Sequence, residues 1–65
     1  MRIVIDKASD GVTVKEYLFK ILSFSVAAVK RVKYREGGIT VNGESVTVRR
    51  VLRDGDVLEL ITEDT

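Results

Sequence analysis

The densest group of chemically useful side chains in this sequence is Lys30-Arg31-Val32-Lys33-Tyr34-Arg35, which places four cations within six residues. A polyanion gains affinity when several fixed cations displace the counterions condensed along its phosphates. An arginine guanidinium can also hold one phosphate with two hydrogen bonds. Tyr34 follows Lys30 by one helical turn, where it either stacks on an unpaired base or donates to a phosphate, or else covers the neighbouring hairpin as a half-buried aromatic. The cluster predicts a phosphate-binding surface.

A second basic cluster, Arg49-Arg50-Val51-Leu52-Arg53, precedes the last turn signal. Adjacent residues of a strand face opposite ways, so we expect at most one of Arg49 and Arg50 to join the first cluster. The other arginine is expected to be solvated or salt-bridged. Lys15 and Lys20 are weaker candidates, for which a plain surface role is expected.

Residues for catalysis or metal binding are scarce. The chain has no histidine for general-base work and no cysteine nucleophile, which also removes the usual zinc ligands. Asp54 and Asp56 flank Gly55, where aspartate is expected because it favours turns. Gly37-Gly38 lacks the spacing and the following lysine of a nucleotide-binding loop. We therefore expect no catalytic residue, no cofactor and no metal in this chain.

The formal net charge of +1 hides an uneven distribution along the chain. Residues 1–14 sum to 0, residues 15–53 to +6 and residues 54–65 to −5. A basic middle beside an acidic end is typical of nucleic-acid binders, although charges in a small domain also cluster by chance. No apolar run is long enough to span a bilayer and no signal peptide is evident, so the expected location is the cytoplasm, with no membrane partner.

The elements that must position these residues fit one domain of 65 residues. The predicted elements are a strand at 2–5, a helix from the capping box at 13–16, a second helix from Ser25 to about Glu36, and strands at 39–41, 46–48 and 57–61. Turns are expected at Asp10-Gly11, Asn42-Gly43 and Asp54-Gly55, and Gly37-Gly38 should stop the second helix. The order indicates an α+β fold, with two short helices packed on a small, mainly antiparallel sheet.

Apolar periodicity predicts which face each helix buries. The first helix should bury Val14, Tyr17, Leu18, Ile21 and Leu22, which recur at offsets of 3, 4, 7 and 8. At about 100° per residue, the apolar arc of the second helix consists of Val26, Ala28, Val29 and Val32. The opposite arc holds Lys30, Arg31, Tyr34 and Arg35, with Lys33 at the boundary.

These elements together resemble the RNA-binding domain named after ribosomal protein S-four, whose fold is the alpha-L RNA-binding motif. The resemblance spans about Val12 to Ile61 and is carried by Leu22, Ser25, Lys30 to Arg35, Gly37, Ile39-Thr40-Val41-Asn42-Gly43 and Gly55-Asp56-Val57. Lys33, Gly37-Gly38-Ile39 and Val41-Asn42-Gly43-Glu44 are most similar to the leading domain of RNA pseudouridine synthases of the large-subunit type. One departure is that Val26 and Ala27 replace the basic residues that often follow the serine.

The resemblance implies a domain that binds RNA, with ribosomal RNA as the expected target, while a separate catalytic domain of the parent enzyme isomerises uridine. The chain would then be a non-catalytic fragment, with a linker beginning at Asp64-Thr65. It also implies that Asn42 and Gly43 shape the hairpin and that Asp56 fixes the last turn. Two alternatives stay open: a protein-interaction module that docks on an acidic neighbour, and a stand-alone protein that acts on ribosomes.

Overall fold

The computed structural model describes residues 1–35 and 37–61. Two helices pack on one side of a four-stranded sheet with strand order β1-β4-β2-β3, in which every neighbouring pair is antiparallel. The predicted α+β class is confirmed. In chain order the elements are β1 Arg2–Val4, a 3-10 turn at Lys7–Ser9, α1 Val14–Glu16 with a π-helical continuation at Tyr17–Ile21, α2 Val26–Tyr34, β2 Ile39–Val41, β3 Glu44–Ser45 and β4 Val57–Leu60.

The sheet buries one face against the helices. Ile39 lies opposite Leu60 and Val41 opposite Leu58, and all four side chains are buried. The alternate residues of the same strands, such as Glu59, face outward, as the period of two along a strand requires. In residues 1–35 and 37–61, no helix is long and apolar enough to cross a membrane.

The first helix begins at the predicted capping box. The Thr13 hydroxyl accepts a hydrogen bond from the Glu16 amide at 3.2 Å, and the Glu16 carboxylate accepts from the Thr13 amide at 3.4 Å. The predicted apolar face fails at Ile21, which is 49% exposed. The reason is the π-helical turn, in which the Leu22 amide donates to the Tyr17 carbonyl and each residue advances by a smaller angle than in an α-helix.

The second helix begins at Ser25, as predicted, because the serine hydroxyl accepts from the Ala28 amide at 3.1 Å. Val29 and Val32 are buried, but Val26 is 60% exposed, so the expected burial of Val26 was wrong although it lies on the same face as Val29. The helix ends at Tyr34, and Arg35 is already extended. The predicted end near Glu36 lies outside the described residues, as does the proposed linker at Asp64-Thr65.

The chain after the hairpin differs most from the prediction. Asn42 and Gly43 adopt positive φ angles of 55° and 83°, which confirms the tight turn between β2 and β3. The predicted strand at 46–48 is wrong: only the Val46 amide continues the pairing, by donating to the Ile39 carbonyl at 3.0 Å. Val48 instead turns into the core and its carbonyl accepts from the Lys15 amide, so this segment pairs with the start of α1.

Candidate functional site

A groove of about 500 Å³ lies where α1, α2 and the turn at residues 47–50 meet. We call it the basic groove, and its lining residues are Lys15, Phe19, Val26, Val29, Lys30, Lys33, Val48 and Arg49. Half of these residues are cations and the other half form an apolar floor. No carboxylate belongs to this lining, so the concavity has a single sign of charge.

Helix α2 supplies half of the lining through one face. Positions 26, 29, 30 and 33 are separated by offsets of 3, 4 and 7, which places them on the same side of a helix. Val29 is buried at the base of this face, while Lys30 and Lys33 are exposed at its edge. The cations therefore project beside apolar surface rather than away from it, which differs from the predicted arrangement of two opposite arcs.

Backbone hydrogen bonds bring Lys15 and Arg49 to the same groove. The amides of Val14 and Lys15, which are unpaired within the helix itself, donate to the carbonyls of Arg50 and Val48 at 2.9 and 3.0 Å. The Thr47 hydroxyl accepts from the Arg49 amide at 3.3 Å and stabilises the turn. Because the start of α1 is bonded to the 47–50 turn, these two cations lie on the same wall of the groove.

Sequence reasoning undervalued two groove residues, Lys15 and Phe19. They are one helical turn apart, and this spacing could have placed both on one side of the first helix. What the spacing could not show is that this side faces α2, because that depends on the turn at 47–50. Phe19 was also outside the predicted apolar face, and the structure packs it, half-buried, against the core.

Among the described residues, the cations of the basic groove have no carboxylate partner, unlike several cations outside the groove. Elsewhere, Lys20 pairs with Glu16 at 3.8 Å, and Arg53 pairs with Asp10 at 3.9 Å. Within residues 1–35 and 37–61, no ion pair includes any of the four groove cations, Lys15, Lys30, Lys33 and Arg49. Like charges gathered at one concavity produce a positive potential that attracts anions.

Three members of the predicted helical cluster do not line the basic groove. Arg31 is exposed on another side of α2, and Arg35 is exposed at the point where the helix ends. Tyr34 is 75% exposed, so the alternative of a half-buried aromatic is wrong. The Lys33 ammonium lies 5.5 Å from the centre of the Tyr34 ring. The tyrosine is therefore next to a cation that lines the groove.

The two adjacent arginines have different surroundings. Arg49 lines the basic groove, whereas the Arg50 guanidinium pairs with Glu44 at 3.8 Å and donates to the Val51 carbonyl at 3.3 Å. The sequence analysis also predicted that at most one of the two arginines would join the helical cations, because adjacent residues of a strand face opposite ways. The division arises at a turn and not in a strand.

A second group of hydrogen-bonded residues lies where β2 ends and β4 begins, and we call Asn42, Arg53, Asp56 and Val57 the turn network. The Asp56 carboxylate accepts from the Asn42 side-chain amide at 3.0 Å and from the Arg53 backbone amide at 2.9 Å. The Asn42 side-chain oxygen accepts from the Val57 amide at 2.9 Å. The bond from Asn42, and then that from Arg53, hold the pKa of Asp56 below its ordinary value. These bonds give Asp56 the turn-fixing position that the resemblance implied.

Neither group of residues brings together the ligands of a metal site in the described part of the chain. In the described part of the chain, no cluster of three or more carboxylates could hold a metal ion. The lining of the basic groove combines cations with apolar side chains, which suits contacts with anions and with apolar surface. Comparisons with protein-family models, with curated proteins and with solved structures found no match.

Proposed function

We propose that this chain is an RNA-binding domain that docks on structured RNA through the basic groove. The observation that carries the proposal is the gathering of Lys15, Lys30, Lys33 and Arg49 around one concavity without a carboxylate partner among the described residues. Such uncompensated charge lowers the stability of the folded chain slightly and is offset when a polyanion binds. The exposed Tyr34 beside Lys33 adds an aromatic surface suited to an unpaired base.

The sequence resemblance extends the proposal to a parent protein. The ordered motifs from Leu22 to Val57 support a role in positioning the catalytic domain of an RNA pseudouridine synthase, a domain outside this chain. In that role the chain supplies affinity and orientation, while the linked domain supplies the isomerisation. Ribosomal RNA is the proposed target, and the site of binding in the cell is then the cytoplasm.

The test is RNA affinity as a function of salt for Lys30→Ala with Lys33→Ala. Each lost phosphate contact reduces the steepness of log affinity against log salt by about 0.7 to 0.9, so the double variant should reduce it by about 1.4 to 1.8. Near about 0.1 M salt, this change corresponds to roughly 25- to 60-fold weaker binding. A ribosomal RNA stem-loop labelled for fluorescence anisotropy provides the measurement.

The matched control is Lys7→Ala with Lys20→Ala, which removes the same charge from exposed positions outside the basic groove. It should leave the salt slope nearly unchanged. If both double variants weaken binding equally, net charge and not the groove is responsible, and the assigned surface is wrong. A polyglutamate peptide that competes as well as RNA of equal charge would favour the protein-interaction alternative and overturn the proposal.

A further inference from the structure

The floor of the basic groove is apolar, which a surface for phosphates alone does not require. Phe19, Val26, Val29 and Val48 form this floor between the cations. Val26 is 60% exposed, so part of this apolar surface faces solvent in the same groove as the four cations. The groove therefore offers two kinds of contact at once.

We infer that the basic groove takes one unpaired nucleotide of the RNA, with its base on the apolar floor and the adjoining phosphates on the cations. This inference rests on the proposed RNA binding and deepens it by naming the structural class of RNA. In an A-form duplex the faces of the bases are stacked on each other and are not available to a protein. An unpaired base can leave the stack and place its face against apolar or aromatic side chains.

The size and charge of the groove suit this occupant. Its volume of about 500 Å³ is within the roughly 300 to 1,000 Å³ of pockets that hold small ligands. Lys30 and Lys33 lie on one wall, and Lys15 and Arg49 lie on the other side of the floor, so cations flank the position of the base. A nucleotide also combines a flat base with a negatively charged phosphate on each side of its sugar. The base would contact the apolar floor, and the two phosphates would contact the cations.

The exposed aromatic at the groove edge favours a nucleotide over an acidic peptide. Tyr34 is 75% exposed, and Lys33 lies over its ring at 5.5 Å. A base next to the bound nucleotide can stack on such a ring, and a cation above the ring strengthens contacts with a polyanion. A peptide of aspartate and glutamate has no flat ring that could stack on this tyrosine.

The test compares three RNA hairpins that differ at a single position, using the full chain. One hairpin is fully paired, one carries a one-nucleotide bulge, and one carries the same bulge without its base. We expect the chain to bind the intact bulge about five-fold or more tightly than either of the others, the lower end for one stacked base. Fluorescence anisotropy at a fixed salt concentration provides the affinities.

The variant Val26→Ser removes exposed apolar surface from the floor without changing charge. It should lower the preference for the intact bulge to about two-fold or less, while the salt slope remains that of the wild type. The matched control is Val4→Ser, at a valine 65% exposed on the outer side of the sheet, and it should keep the full preference.

The outcomes separate this inference from the proposed function. Equal affinity for the intact and baseless bulges, with a steep salt slope, overturns the base site and leaves RNA binding in place. Weak binding to all three hairpins without salt dependence overturns both. Loss of the bulge preference in Val26→Ser but not in Val4→Ser supports the inference.

Discussion

The basic groove and the turn network lie in the same small domain but treat their polar groups in opposite ways. In the turn network, each oxygen of the Asp56 carboxylate accepts a hydrogen bond, and the Asn42 amide is used on both of its sides. In the basic groove, four cations face solvent without a carboxylate partner in the described residues. The turn network uses its polar groups within the fold, whereas the role that we propose for the groove cations is contact with a ligand.

The largest effect is expected where the two regions are joined, at Gly38. A β-carbon at this position would overlap the Val32 carbonyl oxygen of α2 and lie 3.0 Å from the Arg35 carbonyl oxygen. Both obstacles are backbone, so helix and strand must move apart. We expect Gly38→Ala to lower the free energy of unfolding by about 3 kcal/mol, measured by urea denaturation, and to weaken RNA binding as well.

The control for this prediction is Gly37→Ala. Gly37 has a φ of 70°, but a β-carbon there would meet no atom within 4 Å. We expect Gly37→Ala to lower the free energy of unfolding by about 1 kcal/mol, which is the cost of holding alanine in the left-handed conformation. If the two variants lose equal stability, the close approach at Gly38 is not the cause.

The next effect tests the turn network by itself. Asp56→Ala leaves the Arg53 amide and the Asn42 side chain without their acceptor, and we expect a loss of about 1 kcal/mol because the site is partly open to water. RNA affinity of the folded protein should be unchanged. Asp54→Ala, two residues away and exposed, is the matched control and should change stability by less than about 0.5 kcal/mol.

A pH series sharpens the same comparison. The pKa of Asp56 is lower in the folded chain than its ordinary value of 3.8, so the ionised carboxylate stabilises the fold. This stabilisation is complete above about pH 4 and is lost as the pH falls through the folded pKa. As the pH falls from about 5 to about 2, the free energy of unfolding measured by urea denaturation should therefore decrease less for Asp56→Ala than for the wild type. Equal decreases would mean that the network does not favour the ionised carboxylate.

Local signals in the sequence were sufficient for much of the fold. The capping box at Thr13, the cap at Ser25 and the turn at Asn42-Gly43 depend on residues within three positions of each other, and all three predictions are confirmed. The errors at Ile21 and at residues 46–48 have a different origin. A π-helical turn and a segment paired with the start of α1 depend on contacts between residues far apart in the chain.

Only part of the candidate site could be predicted from local signals in the sequence. Lys30, Lys33 and Arg49 were selected from their charge and spacing, and the structure brings them to one groove. Lys15 was set aside, because its neighbours along the chain do not reveal that the 47–50 turn holds it opposite α2. Charge in the sequence identified candidates, but only the fold separates the groove cations from an arginine such as Arg50, which is paired with a carboxylate.

The smallest effect on stability is expected in the basic groove itself, where the proposed function predicts a large effect on RNA binding. Lys30 and Lys33 are exposed and have no ion pair within the described residues, so Lys30→Ala with Lys33→Ala removes no stabilising charge contact. Alanine also has a slightly better helix propensity than lysine, and the remaining groove cations repel each other less. We expect the free energy of unfolding to stay within about 0.5 kcal/mol of the wild type, measured by the same urea denaturation. A loss above about 1.5 kcal/mol would mean that the lysines serve the fold, and the contrast between the two regions would then fail.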